Sequence, residues 1–354
     1  MMLLKTSNMK TGFEYYYRPN KEEVAIILQN GVIVFDTNIL LDVFRVEKKA
    51  SQTLLKVFEH LKGRVKLPYH VVEEYHSDYL VVLVKQKVYL QNAVTKLKEK
   101  NKDLNSLINI EFPDLSKYEK TIMQAALEKA NNSVVNSYNK TIKHLQNEIQ
   151  NDTMINKLSE IFSGTVLPPF SNEDLKKIFT DGVSRYNDQI PPGYRDVKKD
   201  KKGILKSIKD IGLNDDSQNV FGDLVIWNEI LRFANQNKVD VIFVSNDVKE
   251  DWLCEICHEK HGPRIELQKS FYESSEGRKL LIYNFEQFVL KLNDLDKFIP
   301  DKELKSAISS LDTTSRREDR IKNKDKDTTL LSPKSPSSSQ TRSASKDQVN
   351  RIDF

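Results

Sequence analysis

Cysteine is nearly absent from this chain: Cys254 and Cys257 are the two among 354 residues. A Cys-x-x-Cys pair alone builds no disulfide framework, and no second Cys or His pair stands at the distance that would complete a structural zinc site. His258 and His261 lie close by and leave a small metal knuckle open, against the plainer reading of ordinary helical residues in a reducing compartment. Long hydrophobic runs are also missing. No stretch reaches the roughly 18 apolar residues of a membrane span, and Met1 to Tyr17 lacks a signal peptide's apolar core. A soluble, cytoplasmic protein with no membrane partner is expected. Neither Gly-x-x-x-x-Gly-Lys-Ser/Thr nor Gly-x-Gly-x-x-Gly occurs, which removes nucleotide-powered and dinucleotide chemistry. Nor does one sign of charge dominate. The formal net charge is +4, but 12 Lys/Arg against 9 Asp/Glu fall from Asp301 onward, leaving 43 against 42 in the body. Nucleic-acid contact, if any, rests on local patches and not on overall charge.

What the chain does hold is a pair of buried-strand patterns that each end in acid. Gly31-Val-Ile-Val-Phe-Asp36-Thr37-Asn38 and Val239-Asp-Val-Ile-Phe-Val-Ser245-Asn246-Asp247 are continuous Val/Ile/Phe runs, as two-sided burial in a parallel sheet requires. Around them, helices and strands alternate. Asn20 caps a helix, residues 47–62 are helical, Arg64–Leu67 is a short strand, and Pro68 opens another helix. After residue 220 the pattern resumes with a helix that Asp223 begins, the strand at 239–245, a helix from about Lys249, and a last strand at Leu280–Tyr283. Between these halves the composition turns to Lys, Glu, Asn, Gln and Leu, which predicts long helices broken near Pro113 and at Pro168-Pro169. The expected architecture is α/β with a mostly parallel sheet, interrupted by a long helical insertion. Its divisions are residues 1–80, an insertion at 81–210 carrying a basic loop at 185–202, residues 211–300, and a disordered polar tail at 301–354.

Ligand sites in open α/β sheets lie outside the carboxyl ends of the strands. Asp36, Glu73 or Glu74, Asp223, Asp247 and Asp251 all fall toward that end, and in helical geometry Asp247 and Asp251 would share one face. Such a crowd of carboxylates suits Mg²⁺ or Mn²⁺, hard cations that take oxygen ligands and activate water against a phosphodiester. Each residue also has a plainer reading: Asp36 and Asp223 as helix N-caps, the glutamates as a solvated first turn, Asp247 as a turn former.

Asp36-Thr37-Asn38-Ile-Leu-Leu resembles the opening motif of the PIN-domain nucleases. Leu67-Pro68-Tyr-His-Val-Val-Glu-Glu74-Tyr75, Ile190-Pro-Pro-Gly-Tyr-Arg195-Asp196-Val-Lys198, Gly222-Asp223-Leu-Val-Ile-Trp227, Ser245-Asn246-Asp247-Val-Lys249-Glu-Asp251-Trp252 and Gly262-Pro-Arg264-Ile-Glu266-Leu267 are similar, in this order, to stretches of a bacterial PIN-like subgroup with a large helical insert. The likeness covers roughly residues 10–290, with the insert alike only in being helical. It implies a PIN-like three-layer domain and metal ligands at Asp36, Glu74, Asp223 and Asp247, with Asp251 either a fifth carboxylate or a partner of Lys249. Thr37, Asn38 and Ser245 would support those ligands. Arg195, Lys198, Lys249 and Arg264 would contact the substrate's phosphates. Asn246 stands where the subgroup often has an acid, which lowers the charge at the site. The implied activity is a metal-dependent nuclease, acting on RNA more than DNA through metal-activated water, with toxin or defence roles among its fold-mates. No residue decides between endo- and exonucleolytic cleavage. A homodimer or a regulatory protein partner is compatible with such a fold.

Two rivals differ in class. A haloacid-dehalogenase-type phosphatase needs a second carboxylate two residues after its first, where Asn38 stands. A non-catalytic interaction protein would use the helical insertion and the tail, yet a pocket that no longer held metal would be expected to lose some of its crowded negative charges.

Overall fold

The computed structural model describes residues 9–199, 215–247, 250–257 and 259–313, the side chains of 197–199 and 215–219 excepted. Asn20 opens α1 (Lys21–Asn30) through a reciprocal capping box with Glu23. Then come β1 (Val32–Phe35), α2 (Thr37–Arg45), α3 (Lys48–Leu61) and the two-residue β2 (Val65–Lys66). Pro68 precedes α4 (Tyr69–Glu111), and Ser116 caps α5 (Lys117–Asn151) with Glu119 as its reciprocal partner. The pair run antiparallel: Lys87 Nζ donates to Gln146 Oε1 at 2.8 Å near the base, and Gln124 Nε2 to Asn109 Oδ1 at 3.3 Å near the tip. Next are α6 (Thr153–Ile161), α7 (Asn172–Asn187), a 3-10 segment at Tyr194–Lys199, and α8 (Asp215–Asn237). The chain continues through β3 (Val241–Val244), β4 (Leu253–Ile256), β5 (Glu259–Pro263), α9 (Ile265–Ser274), β6 (Leu280–Tyr283) and α10 (Phe285–Leu295).

The main sheet has the order β2-β1-β3-β6, and each neighbouring pair is parallel. Ile33, Val34 and Phe35 are all fully buried, as are Val241 and Ile242. Successive strand residues face opposite sides, so both faces are covered, and that is why these strands read as unbroken apolar runs. The register sets Phe35 opposite Val244. The next residues along, Asp36 and Ser245, are therefore neighbours at one edge of the sheet. The fold is the expected α/β arrangement, with the α4–α5 arm inserted between its halves.

Local expectations fail at identifiable places. The helix expected from about Lys249 is replaced by the antiparallel β4–β5 hairpin. Cys254 is half-buried in that hairpin and Cys257 exposed beside it, so neither is helical. Asp223 does not begin a helix but sits inside α8, which starts at Asp215. The polar tail starts later than residue 301: residues 301–313 are helical, because Leu304, Ala307, Ile308 and Leu311, at helical spacing, are buried.

Candidate functional site

Strand pairing carries Asp36 into a dense set of hydrogen bonds. Its N–H donates to Val244 O at 3.0 Å. Ser245 Oγ donates to Asp36 Oδ2 at 2.5 Å, and Asn38 Nδ2 donates to the same oxygen. Asn38 Nδ2 also lies 3.1 Å from Ser245 Oγ, and Asn38 Oδ1 accepts from the Asn246 N–H at 2.9 Å. Thr37 N–H donates to Asp36 Oδ1 at 2.7 Å, so Asp36 is the N-cap of α2 as well. Asn246 binds away from the site, donating to Asp42 Oδ2 at 2.8 Å and accepting from Phe285 N–H at 3.0 Å.

Glu74 comes from the second turn of α4. Its Oε2 accepts from Thr37 Oγ1 at 2.6 Å, while Glu73 points to the other side of His70, with Oε2 3.5 Å from Nδ1. Asp223 comes from α8, and Gly222 permits the approach. A Cβ at Gly222 would lie 2.9 Å from His70 Nε2 and 3.3 Å from Glu74 Oε1. Asp223 Oδ2 accepts from Trp252 Nε1 at 3.3 Å. These carboxylates share one field. Burial pushes the Asp36 carboxyl up to about 7, with Asp223 and Glu74 adding to the rise and the Ser245 and Thr37 hydrogen bonds opposing it.

The other expected site residues make the following contacts. Asp247 follows β3 with its N–H on Ser245 Oγ at 3.2 Å and its carboxylate exposed. The shared helical face expected of Asp247 and Asp251 runs through residues 248 and 249, which lie outside the described residues; Asp247 itself and residues 250–252 are not helical. Asp251, expected as a fifth carboxylate or a partner of Lys249, is fully buried and holds the basic loop: its Oδ2 accepts from Gly193 N–H at 2.9 Å and Arg195 N–H at 3.3 Å. That contact seats Gly193 against the site, where an added Cβ would come 3.1 Å from Asp223 Cβ. Arg195 is exposed and pairs with Glu250. Arg264, expected to grip phosphate, donates to Glu266 through Nη2 at 2.7 Å and Nε at 3.2 Å, and to Tyr194 Oη at 3.0 Å. The Lys198 side chain and Lys249 lie outside the described residues, as does His258.

Two buried residues escaped the sequence reading. His70 is 6% exposed and Glu229 1% exposed. His70 N–H donates to Glu229 Oε2 at 3.2 Å, and His70 Nε2 lies 3.5 Å from Glu74 Oε1. Burial pulls the imidazole's proton affinity down, but the contact with Glu74 and the charges of Glu229 and Glu73 raise it overall. Burial pushes the Glu229 carboxyl up to about 7, against the pull of His70. The signal was present in sequence: His70 precedes Glu73 and Glu74 by i,i+3 and i,i+4.

The PIN like domain family matches residues 32–267, more than half of the 354, and the chain belongs to that family. No curated protein and no solved structure matches it. PIN-like domains are in general nucleases, bind nucleic acid and typically use divalent metals. Among the described residues, no helix is long and apolar enough to cross a membrane.

The side chains present suit a divalent ion in chemistry more than in spacing. Their chemistry fits, since Asp36, Glu74 and Asp223 are hard oxygen donors whose mutual repulsion a cation relieves. Their spacing is looser than a ligating shell: among the described residues no group of three or more His, Cys, Asp or Glu is drawn together around one point.

Proposed function

We propose that this protein is a divalent-metal-dependent nuclease that hydrolyses phosphodiester bonds, of RNA in preference to DNA, with Mg²⁺ or Mn²⁺ held by Asp36, Glu74, Asp223 and Asp247. One observation carries the reading: the Asp36 carboxyl, already buried and hydrogen-bonded, is pushed to about 7 with help from Asp223 and Glu74, which arrive from separate helices. Burial is the larger cause of that rise and the carboxylates of Asp223 and Glu74 add to it; a cation beside them would relieve both. A bound ion supplies a water nucleophile at neutral pH and charge for the phosphate. The chain's own residues do the positioning. Ser245 and Asn38 hold Asp36 Oδ2, Thr37 holds Glu74, and Trp252 holds Asp223. The RNA preference, and a role as toxin or defence effector, rest on likeness of sequence alone. The test is cleavage of labelled single-stranded RNA and DNA with Mg²⁺, Mn²⁺ or EDTA. Metal-dependent cleavage of RNA supports the reading, and no cleavage of either polymer with either metal overturns it.

A second reading is favoured by the arm. Leu80, Val81, Val84 and Val88 are exposed along α4, and Leu104, Leu107, Ile110 and Phe112 toward its tip. Exposed apolar groups in such number mark an interaction surface, so the arm would bind a partner whether or not the carboxylates cleave.

A further inference from the structure

Glu74 and Asp223 sit on different helices, α4 and α8, so their approach to Asp36 depends on how those helices are fixed to each other. We propose that Glu229 and His70 are positioning residues for the site, locking α4 against α8 in the register that brings Glu74 and Asp223 together. The inference rests on the metal-site reading given above and adds two residues to it.

The start of α4 calls for an outside partner. Val72 is the first residue of that helix whose N–H reaches a carbonyl behind it, Pro68 O at 3.3 Å. The N–H groups of Tyr69, His70 and Val71 precede it and have no intrahelical partner. Pro68, at the N-cap, supplies no side-chain cap. Glu229 supplies one from α8, its Oε2 accepting from His70 N–H at 3.2 Å. A carboxylate there also meets the positive end of the helix dipole. Glu229 is 1% exposed, and burying a carboxylate is costly. A local Ser, Thr, Asp or Asn at the N-cap would have served α4 alone. A cap reaching across from α8 does something more, because sliding or turning α4 against α8 breaks it.

The His70 side chain fixes the same two helices at a second point. It is 6% exposed, with Nδ1 3.5 Å from Glu73 Oε2 and Nε2 3.5 Å from Glu74 Oε1. Its ring fills the space that Gly222 leaves on α8, where a Cβ would come 2.9 Å from Nε2 and 3.3 Å from Glu74 Oε1. Asp223 is the next residue along α8. Glu74 lies four residues after His70, and Asp223 six residues before Glu229. At the helical rise these steps span about 6 and 9 Å, so the lock stands within two turns of both carboxylates. Thr37 Oγ1 meets the far oxygen of Glu74, Oε2, at 2.6 Å. Glu74 is thus bracketed, by α2 on one oxygen and by the His70 ring on the other.

The experiment is Mn²⁺ calorimetry on the full chain, comparing the wild type with Glu229→Ala, Glu229→Gln, His70→Ala and Leu304→Ala, each followed by thermal unfolding. Glutamine keeps an acceptor for the His70 N–H. Leu304 is the control for lost stability alone: it is fully buried in helix 301–313, which meets α3 where Glu303 accepts from Lys56 Nζ at 2.6 Å. Glu229→Ala and His70→Ala are expected to bind Mn²⁺ about tenfold or more weakly, the loss typical of a residue that orients a metal ligand. Glu229→Gln is expected to bind as the wild type does. Leu304→Ala is expected to do the same although it unfolds at a lower temperature. Should Glu229→Ala fail to fold, His70→Ala, which keeps the backbone N–H and its cap, decides. Glu229→Ala or His70→Ala binding as tightly as the wild type overturns the proposal and leaves the metal site standing. So does Leu304→Ala or Glu229→Gln losing as much affinity as Glu229→Ala. A wild type that binds no Mn²⁺ overturns the metal-site reading and this proposal with it.

Discussion

Ser245 Oγ donates to Asp36 Oδ2 at 2.5 Å, across 209 positions of sequence. The bond exists because β1 and β3 are paired with Phe35 opposite Val244, and it is the strongest of the influences holding the Asp36 carboxyl's proton affinity down. Ser245→Ala should therefore raise that affinity further and leave Asp36 less fixed. Loss of a residue that orients a metal ligand typically costs about 10–100-fold in metal affinity or activity. The expected result is a fall of that size in Mn²⁺ affinity by calorimetry, with little change in thermal unfolding.

Gly222→Ala separates helix propensity from packing. Alanine is favoured over glycine in a helix by roughly 1 kcal/mol, but here its Cβ would stand 2.9 Å from His70 Nε2. His70 is buried between Glu74 and Glu229 and cannot swing into solvent, so overpacking of about 1–3 kcal/mol outweighs the gain. Chemical denaturation should find the variant less stable, and its activity should fall further than its stability because Glu74 is displaced.

Asp251→Ala tests the assignment of that residue to the loop. It removes the acceptor of the Gly193 and Arg195 N–H groups, and each buried donor left unpaired costs about 1–3 kcal/mol. Urea denaturation should register a loss on the order of 2–4 kcal/mol, while the folded protein keeps its metal affinity. A selective loss of metal binding at unchanged stability would return Asp251 to the ligands.

The metal-free protein should lose stability as pH rises from about 4 to about 7. The folded-state value of Asp36 is about 7 against an ordinary 3.8, and that of Glu229 is about 7 against 4.5. In that window the folded state binds more protons than the unfolded one, so stability falls as pH rises and levels off above the folded values. The Asp36 contribution is on the order of a few kcal/mol at most. Thermal unfolding in EDTA across this range should slope downward, and Asp36→Asn should flatten the slope.

Sequence patterns carried the sheet and much of the site for physical reasons. Two-sided burial forces the Val/Ile/Phe runs of β1 and β3, and parallel pairing sets Asp36 beside Ser245. Gly222 beside Asp223 was visible as a motif, but its cause, the space taken by His70 and Glu74, exists only in three dimensions. The β4–β5 hairpin was hidden because Glu255, Glu259 and Lys260 are exposed and give no alternation to read. Helix 301–313 was hidden by polar composition, although Leu304, Ala307, Ile308 and Leu311 kept helical spacing. The hold of Asp251 on the loop was not legible because Gly193 and Arg195 are more than fifty residues away.

The most direct measurement is Mn²⁺ binding by calorimetry to the wild type, Asp36→Asn, Glu74→Gln and Asp223→Asn, each checked for folding by thermal unfolding. The account predicts that the wild type binds Mn²⁺, and that each variant stays folded and loses at least tenfold in affinity. Variants that bind Mn²⁺ as tightly as the wild type, or a wild type that binds none, would contradict it.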